Sequence, residues 1–166
     1  MKVLMTGGAG INGRLWVEDL VAHGHEVMVY DNLSTGDRKS LPFAVKFVFG
    51  DVRDSSLLTR ALKDFRPDLV IHCAQYFRDE KMDASKVSKM ELLDHNLSGL
   101  IQVLKAFDSS ECGHLWIRQL EGDLGLQRLQ NEVVQYAAHE VKEASSKKIL
   151  MLPASGPRPD LQLETF

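Results

Sequence analysis

Apolar residues along this chain fall into short continuous runs separated by longer amphipathic stretches, the rhythm of alternating strands and helices. Lys2 to Met5 is too continuously apolar for a half-exposed strand and predicts a buried parallel one. Leu15, Trp16, Val17, Leu20 and Val21 then recur at helical spacing, and Gly24 stops the helix they predict. Runs at residues 26–30, 46–49 and 68–73 predict further buried strands, and Lys148 to Leu152, bounded by Pro153, predicts the fifth. Met90 to Phe107 predicts a helix with apolar residues on more than one face. From about Leu120 to Ala144 a second long helix is expected, with Leu126, Leu129, Val133, Tyr136, Ala137 and Val141 on one stripe and Gly122 and Gly125 weakening its first turn. Ser109 to Gly113 reads as a connection, and the tail from Gly156, with Pro157 and Pro159, as extended or partly disordered. The expected fold is an α/β doubly wound parallel sheet of about five strands in the order 3-2-1-4-5, formed by residues 1–152 and followed by a tail, 153–166.

Between the first strand and its helix lie Gly7, Gly10 and Gly13. A glycine turn in that context lets backbone N–H groups approach a pyrophosphate held on the positive end of the helix. The second strand ends at Asp31, whose carboxylate can accept hydrogen bonds from both hydroxyls of an adenosine ribose and repels a 2′-phosphate. Strand, glycine turn, helix and acid together point to a dinucleotide site that prefers NAD to NADP. Asp31 also begins a stretch of good turn chemistry, Asp-Asn-Leu-Ser-Thr-Gly, and Arg38 and Lys39 follow closely.

Thr6-Gly7-Gly8-Ala9-Gly10-Ile11-Asn12-Gly13 followed by Asp31-Asn32-Leu33-Ser34-Thr35-Gly36 resembles the extended short-chain dehydrogenase/reductase family. Within it the chain is most similar to NAD-dependent nucleotide-sugar epimerases and dehydratases of the UDP-glucose 4-epimerase kind. Asp51-Val52 resembles the pair that contacts adenine there. Leu69 to Ala74 resembles the fourth strand, and Asn96-Leu97-Ser98-Gly99-Leu100 the family's Asn-Val-x-Gly-Thr helix. The likeness covers Met1 to about Phe107. It implies a Rossmann-type fold, NAD as cofactor and a nucleotide-sugar ligand. It also implies cofactor contacts at Gly7, Gly10, Ile11, Asn12, Gly13, Asp31, Asn32, Ser34, Thr35, Gly36, Asp51, Val52, Cys73, Ala74, Gln75 and Asn96. The family pairs through helices that include the equivalent of residues 90–107, so a homodimer or a complex with a related chain through 90–107 and 120–144 is one expectation. Cover of that second face by the 120–144 helix itself is the other.

Three departures stand beside the likeness. Gln75 replaces a second alanine after the fourth strand and is followed by Tyr76 and Phe77, bulky side chains on the expected route to the nicotinamide. Asn12 stands where the family is usually apolar. The family's catalytic Tyr-x-x-x-Lys, in which the lysine lowers the tyrosine pKa, is missing: Tyr30, Tyr76 and Tyr136 are followed four residues later by Ser34, Glu80 and Glu140. Ser155, after the run predicted as strand five, lies loosely where the family places its catalytic serine.

Composition narrows the function further. At 166 residues, 44% hydrophobic and with a net charge of −3, the chain is an ordinary globular protein without the basic, aromatic-interleaved surface of a nucleic-acid binder. Its six histidines form no metal motif, and His72 reads as a hydrogen-bonded core residue. Two cysteines, Cys73 and Cys112, make no disulfide framework, and no stretch predicts a signal peptide or membrane span, so a cytoplasmic location is expected. Family members are longer, supplying further strands and a sugar-nucleotide domain that this chain is expected to lack. Three functions fit: an epimerase or dehydratase homologue acting on a nucleotide sugar, a noncatalytic NAD-binding module, or a shortened product of a longer epimerase gene.

Overall fold

Val3, Leu4 and Met5 are fully buried because strand β1 (Lys2–Thr6) has a parallel neighbour on each side and helices above and below. The computed structural model describes residues 1–76, 88–122, 124–144 and 146–154. Beside β1, on one side, are β2 (Glu26–Asp31) and β3 (Lys46–Phe49); on the other are β4 (Leu69–His72), β5 (His114–Arg118) and β6 (Lys148–Leu152). All pairings are parallel and the order is β3-β2-β1-β4-β5-β6. The chain therefore winds outward from β1, returns, and winds out the other way from β4. Between β1 and β4 their carboxyl ends diverge into a crevice, the usual ligand position in such sheets.

Two apolar layers cover the sheet. Val3, Met5, Val27, Val29, Leu69 and Ile71 face helix α1 (Ile11–Ala22), which contributes Trp16, Val17 and Leu20. Leu4, Val70, Leu115 and Ile117 face the other way, against α2 (Ser55–Phe65), α4 (Gly99–Asp108) and α5 (Leu124–Ala144). The period of two along each strand distributes its apolar residues between these layers. Asp54 caps α2, its carboxylate accepting from the N–H groups of Ser56 and Leu57, both at 3.1 Å.

Two expectations need correction. The sheet has six strands, and Lys148–Leu152 is the sixth; the fifth is His114–Arg118. That segment is hard to see because only Leu115, Trp116 and Ile117 are apolar and it ends on an arginine that is 4% exposed. Burial of Arg118 is compensated by Glu121 Oε1 at 2.6 Å and the Ala154 carbonyl at 2.7 Å, partners contributed by the turn beyond β5 and the end of β6. The 90–107 helix is also not one regular helix. α3 (Lys89–Leu93), opened by a Ser88/Glu91 capping box, passes through a π-helical turn (Asp94–Ser98) before α4. α5 starts at Leu124, beyond Gly122, which has φ +91°.

The two helices expected to form a partner surface pack within the molecule. Val134 and Val141 of α5 share a cluster with Val103 and Phe107 of α4. Among the described residues no helix is long and apolar enough to cross a membrane, and no group of three His, Cys, Asp or Glu side chains could hold a metal.

Candidate functional site

The β1–α1 turn is shaped by its glycines, and they do different things. Gly7 has φ +73°, and a Cβ there would overlap the backbone nitrogen of Ala74. A Cβ on Gly13 would overlap the Gly7 carbonyl oxygen, so both residues are fixed by packing within the protein. Gly10 differs: a Cβ there would meet only that same oxygen, at 3.4 Å, and otherwise open space. Gly10 is the N-cap of α1 and makes no side-chain cap, and the first turn carries no acidic residue. The N–H groups of Ile11, Asn12 and Gly13 thus begin the helix without intrahelical acceptors, a suitable place for an anion.

A cavity of about 420 Å³ opens in front of this turn. It is lined by Gly7, Gly10, Ile11, Asn12 and Gly13 at the centre, and by Asp31, Asn32 and Thr35 beyond β2. Gly50 and Val52 beyond β3, and Cys73, Ala74 and Gln75 beyond β4, complete much of the rest. Elements far apart in sequence meet there because every parallel strand delivers its carboxyl end to the same edge.

Asp31 is 8% exposed and already at work in the fold. Its Oδ2 accepts from the Ala9 N–H at 2.9 Å and its Oδ1 from the Leu33 N–H at 2.8 Å, so it ties the glycine turn to the loop beyond β2. Each oxygen retains further lone-pair capacity toward the cavity. Turn and site are therefore both served by this carboxylate. Leu33 itself has φ +57°, a conformation held by that anchor.

Four of the expected contacts do not line the cavity. Ser34 donates its N–H to Asn32 Oδ1 at 3.0 Å within the loop, and Gly36 lies so close to Ala9 that a Cβ would be 2.7 Å from its carbonyl carbon. Asp51 is engaged by Arg53 through Nε at 2.9 Å and Nη2 at 2.8 Å, and by Asn32 Nδ2 at 3.1 Å. Those Arg53 hydrogen bonds, ahead of the opposing effect of burial, hold its carboxyl well below the usual carboxylate range. Asn96 is turned to the backbone of Tyr76, accepting its N–H at 2.8 Å and donating to its carbonyl at 3.0 Å.

Five lining residues escape a reading of the sequence: Tyr30, Gly50, His95, Glu121 and Gly122. His95 lies in the π-helical turn, is 6% exposed, and stands edge-on to Tyr76 with ring centroids 4.1 Å apart. Burial lowers its pKa, ahead of the opposing pull of Asp51, so the ring is neutral near pH 7. Tyr30 is fully buried; its hydroxyl donates to the Asp51 carbonyl at 3.0 Å and burial raises its pKa. Glu121 and Gly122 belong to the turn beyond β5, the strand that the sequence conceals. The local signal there is Gly122, which in the sequence looks like a flaw in the first turn of a helix.

Below the cavity, His72 shares a 2.7 Å hydrogen bond with Thr6 Oγ1, and burial pushes its pKa down to about 3. It is the hydrogen-bonded core residue expected. Burial pushes the Cys73 thiol up to about 12, leaving it protonated and unreactive. Gln75 turns away from the expected route: its Nε2 donates to the Arg118 carbonyl, which also accepts from Gln130 Nε2 at 3.0 Å. Tyr76 does not line the cavity; Phe77 and Ser155 lie outside the described residues.

Comparison with known proteins gives a consistent picture. The model of the NAD dependent epimerase/dehydratase family matches residues 3–117. The UDP-glucose 4-epimerase of Lactobacillus helveticus is 36% identical over 115 residues, 69% of this chain and 34% of that protein. The one from Streptomyces lividans is 35% identical over 106 residues, 63% of this chain and 31% of its own length. The chain thus spans about a third of these curated relatives. Among solved structures, the Thermus thermophilus UDP-glucose 4-epimerase in complex with NAD has a TM-score of 0.76 at 28% identity, covering 92% of this chain and 54% of that one. Bordetella bronchiseptica WbmG in complex with NAD and UDP has a TM-score of 0.69 at 26% identity, covering 91% and 52%.

Proposed function

The chain belongs to the NAD dependent epimerase/dehydratase family, and from that premise we propose that its cavity is an NAD(H) site. The observation that supports this most directly is Gly10. Packing within the protein explains Gly7 and Gly13, whereas the space a Gly10 side chain would take is cavity, where a pyrophosphate backbone contact needs it empty. The N–H groups of Ile11, Asn12 and Gly13 would meet the phosphates, Asp31 the adenosine ribose, and Val52 the adenine. Asp31 disfavours a 2′-phosphate, so NAD is the expected form. When bound, the nicotinamide supplies a hydride acceptor and donor. The protein's contribution is to bind and orient it at the switch between β1 and β4.

We further propose that these 166 residues hold the dinucleotide without completing an epimerase reaction on a nucleotide sugar. None of the three tyrosines has a lysine four residues later. Tyr136 is 71% exposed on α5, and the Tyr30 hydroxyl is committed to Asp51, so neither is poised as a base at the cavity. Activity on a UDP-sugar then needs a Tyr/Lys pair from outside these 166 residues. A noncatalytic NAD-binding module is the alternative. Met90, Ile101, Leu129 and Tyr136 are exposed on the helices and provide a surface for self-association, which light scattering would reveal. Both cysteines are free and buried, which suits a reducing, cytoplasmic location.

Calorimetric titration of the purified chain with NAD, NADH and NADP tests the central proposal. Saturable binding of NAD or NADH, with NADP much weaker, is expected. Absence of binding to all three would overturn it and leave the glycine turn as architecture alone.

A further inference from the structure

The turn beyond β5 places a second carboxylate on the cavity. Glu121 lines it, as Asp31 does, but from the other side of the crevice. In the sheet order, Asp31 ends β2, the glycine turn follows β1, Cys73–Gln75 follow β4, and Glu121 follows β5. Three strand spacings separate β2 from β5, about 14 Å. The sequence of groups along the crevice is thus acid, anion cradle, the Cys73–Gln75 wall, acid. A dinucleotide presents a ribose diol, a pyrophosphate and a second ribose diol in the corresponding order.

Glu121 is held in place rather than merely present. Its Oε1 accepts from Arg118 Nη2 at 2.6 Å, and the same nitrogen donates to the Ala154 carbonyl at 2.7 Å. Arg118 is 4% exposed. Its carbonyl accepts from the side-chain amides of Gln75 and Gln130, and Gln130 Oε1 accepts the Leu120 N–H at 2.8 Å. The strand end that carries the carboxylate is therefore fixed by buried hydrogen bonds on both flanks. Glu121 Oε2 takes no hydrogen bond from any described residue, and the side chain is 41% exposed. A carboxylate with one oxygen ion-paired and the other open can still accept from two adjacent hydroxyls.

We propose that Glu121, oriented by Arg118, is a second ribose clamp that accepts the diol of the nicotinamide-side ribose. This rests on the NAD(H) site proposed above and assigns its far end. The chain would then grip the dinucleotide by a carboxylate at each ribose, with no tyrosine or lysine needed for that contact.

Calorimetry with NAD, ADP-ribose and ADP separates the two proposals, because ADP-ribose carries the second ribose without nicotinamide and ADP carries neither. Glu121→Gln, which keeps the side-chain size and removes the charge, is expected to weaken NAD and ADP-ribose about ten-fold and leave ADP unchanged. Unchanged NAD affinity would overturn the clamp, as would an equal loss for ADP. So would a loss for NAD that ADP-ribose does not share, since the contact would then be to the nicotinamide. A wild-type chain that binds none of the three would remove the NAD(H) site and the clamp together. Should Glu121→Gln fail to fold, Glu121→Asp keeps the charge beside Arg118 but shortens its reach, and the same pattern across the three ligands is expected.

Discussion

Asn96 grips Tyr76 by both of its backbone groups, accepting the N–H at 2.8 Å and donating to the carbonyl at 3.0 Å. A residue in the π-helical turn thereby takes over the hydrogen bonds that a further strand pairing would have given the chain beyond β4. Asn96→Ala should lose about 2 kcal/mol of stability, from two hydrogen bonds and the polar groups left behind. Asn96→Asp keeps the acceptor but sets a buried carboxylate oxygen against the Tyr76 carbonyl, so a loss at least as large is expected near pH 7. Urea denaturation of the two variants measures both; equal midpoints for wild type and Asn96→Ala would show that this latch is not holding the loop.

The glycines of the first turn should separate under substitution. Gly13→Ala drives a Cβ into the Gly7 carbonyl oxygen and is expected to cost about 3 kcal/mol. Gly10→Ala has room within the protein and should stay within about 1 kcal/mol of wild type, while NAD affinity falls about ten-fold or more. Thermal melts and titrations on the same preparations give both numbers. A Gly10→Ala chain that binds NAD normally would mean that no phosphate approaches that backbone.

Asp31→Ala is expected to weaken NAD binding and also to disturb the fold. Both carboxylate oxygens accept backbone N–H groups, from Ala9 and Leu33, and Leu33 is held at a positive φ by that contact. Removing them should cost about 1–3 kcal/mol. The affinity loss must therefore be measured well below the melting temperature of the variant.

Acid should destabilise the protein through its buried imidazoles. His72 titrates near 6.5 when free and near 3 in the fold, where burial excludes its charge. Above the free value both states are neutral and the full stability is present. Below it the unfolded chain takes up a proton that the folded chain refuses, and stability falls toward the folded pKa. The slope from one such group approaches about 1.4 kcal/mol per pH unit. The burial-lowered pKa of His95 adds a loss of the same sign. Urea midpoints collected from about pH 7 down to pH 5 should drop accordingly, and His72→Asn should flatten the dependence. A pH-independent midpoint over that range would show that His72 is protonated in place.

Much of the site was legible because it is local. The glycine spacing, Asp31 and the Asn32–Gly36 loop are contiguous segments tied to one strand each, and their backbone constraints are written in residue types. What escaped most was the wall of the cavity beyond β5. Strand β5 has three apolar residues and a buried arginine, and nothing in the sequence announces that Glu121 and the Ala154 carbonyl will both accept from its Nη2. Without β5, Lys148–Leu152 counts as the fifth strand, and Glu121 and Gly122 have no place on the cavity. Asp51 and Asn96 were legible as motif residues, but which partner each would take was not. Arg53 claims one and the Tyr76 backbone the other.

The sequence by itself determined the α/β alternation, the outward winding from β1, the glycine turn and the acid at the end of β2. Each of these follows from burial period and backbone sterics acting within about 30 residues. Only the tertiary structure decided which polar side chains face the cavity and which are consumed by the fold. That choice depends on hydrogen-bond partners brought from elsewhere in the chain. A buried carboxylate, amide or guanidinium goes to whichever donor or acceptor the packed helices and strand ends leave within reach.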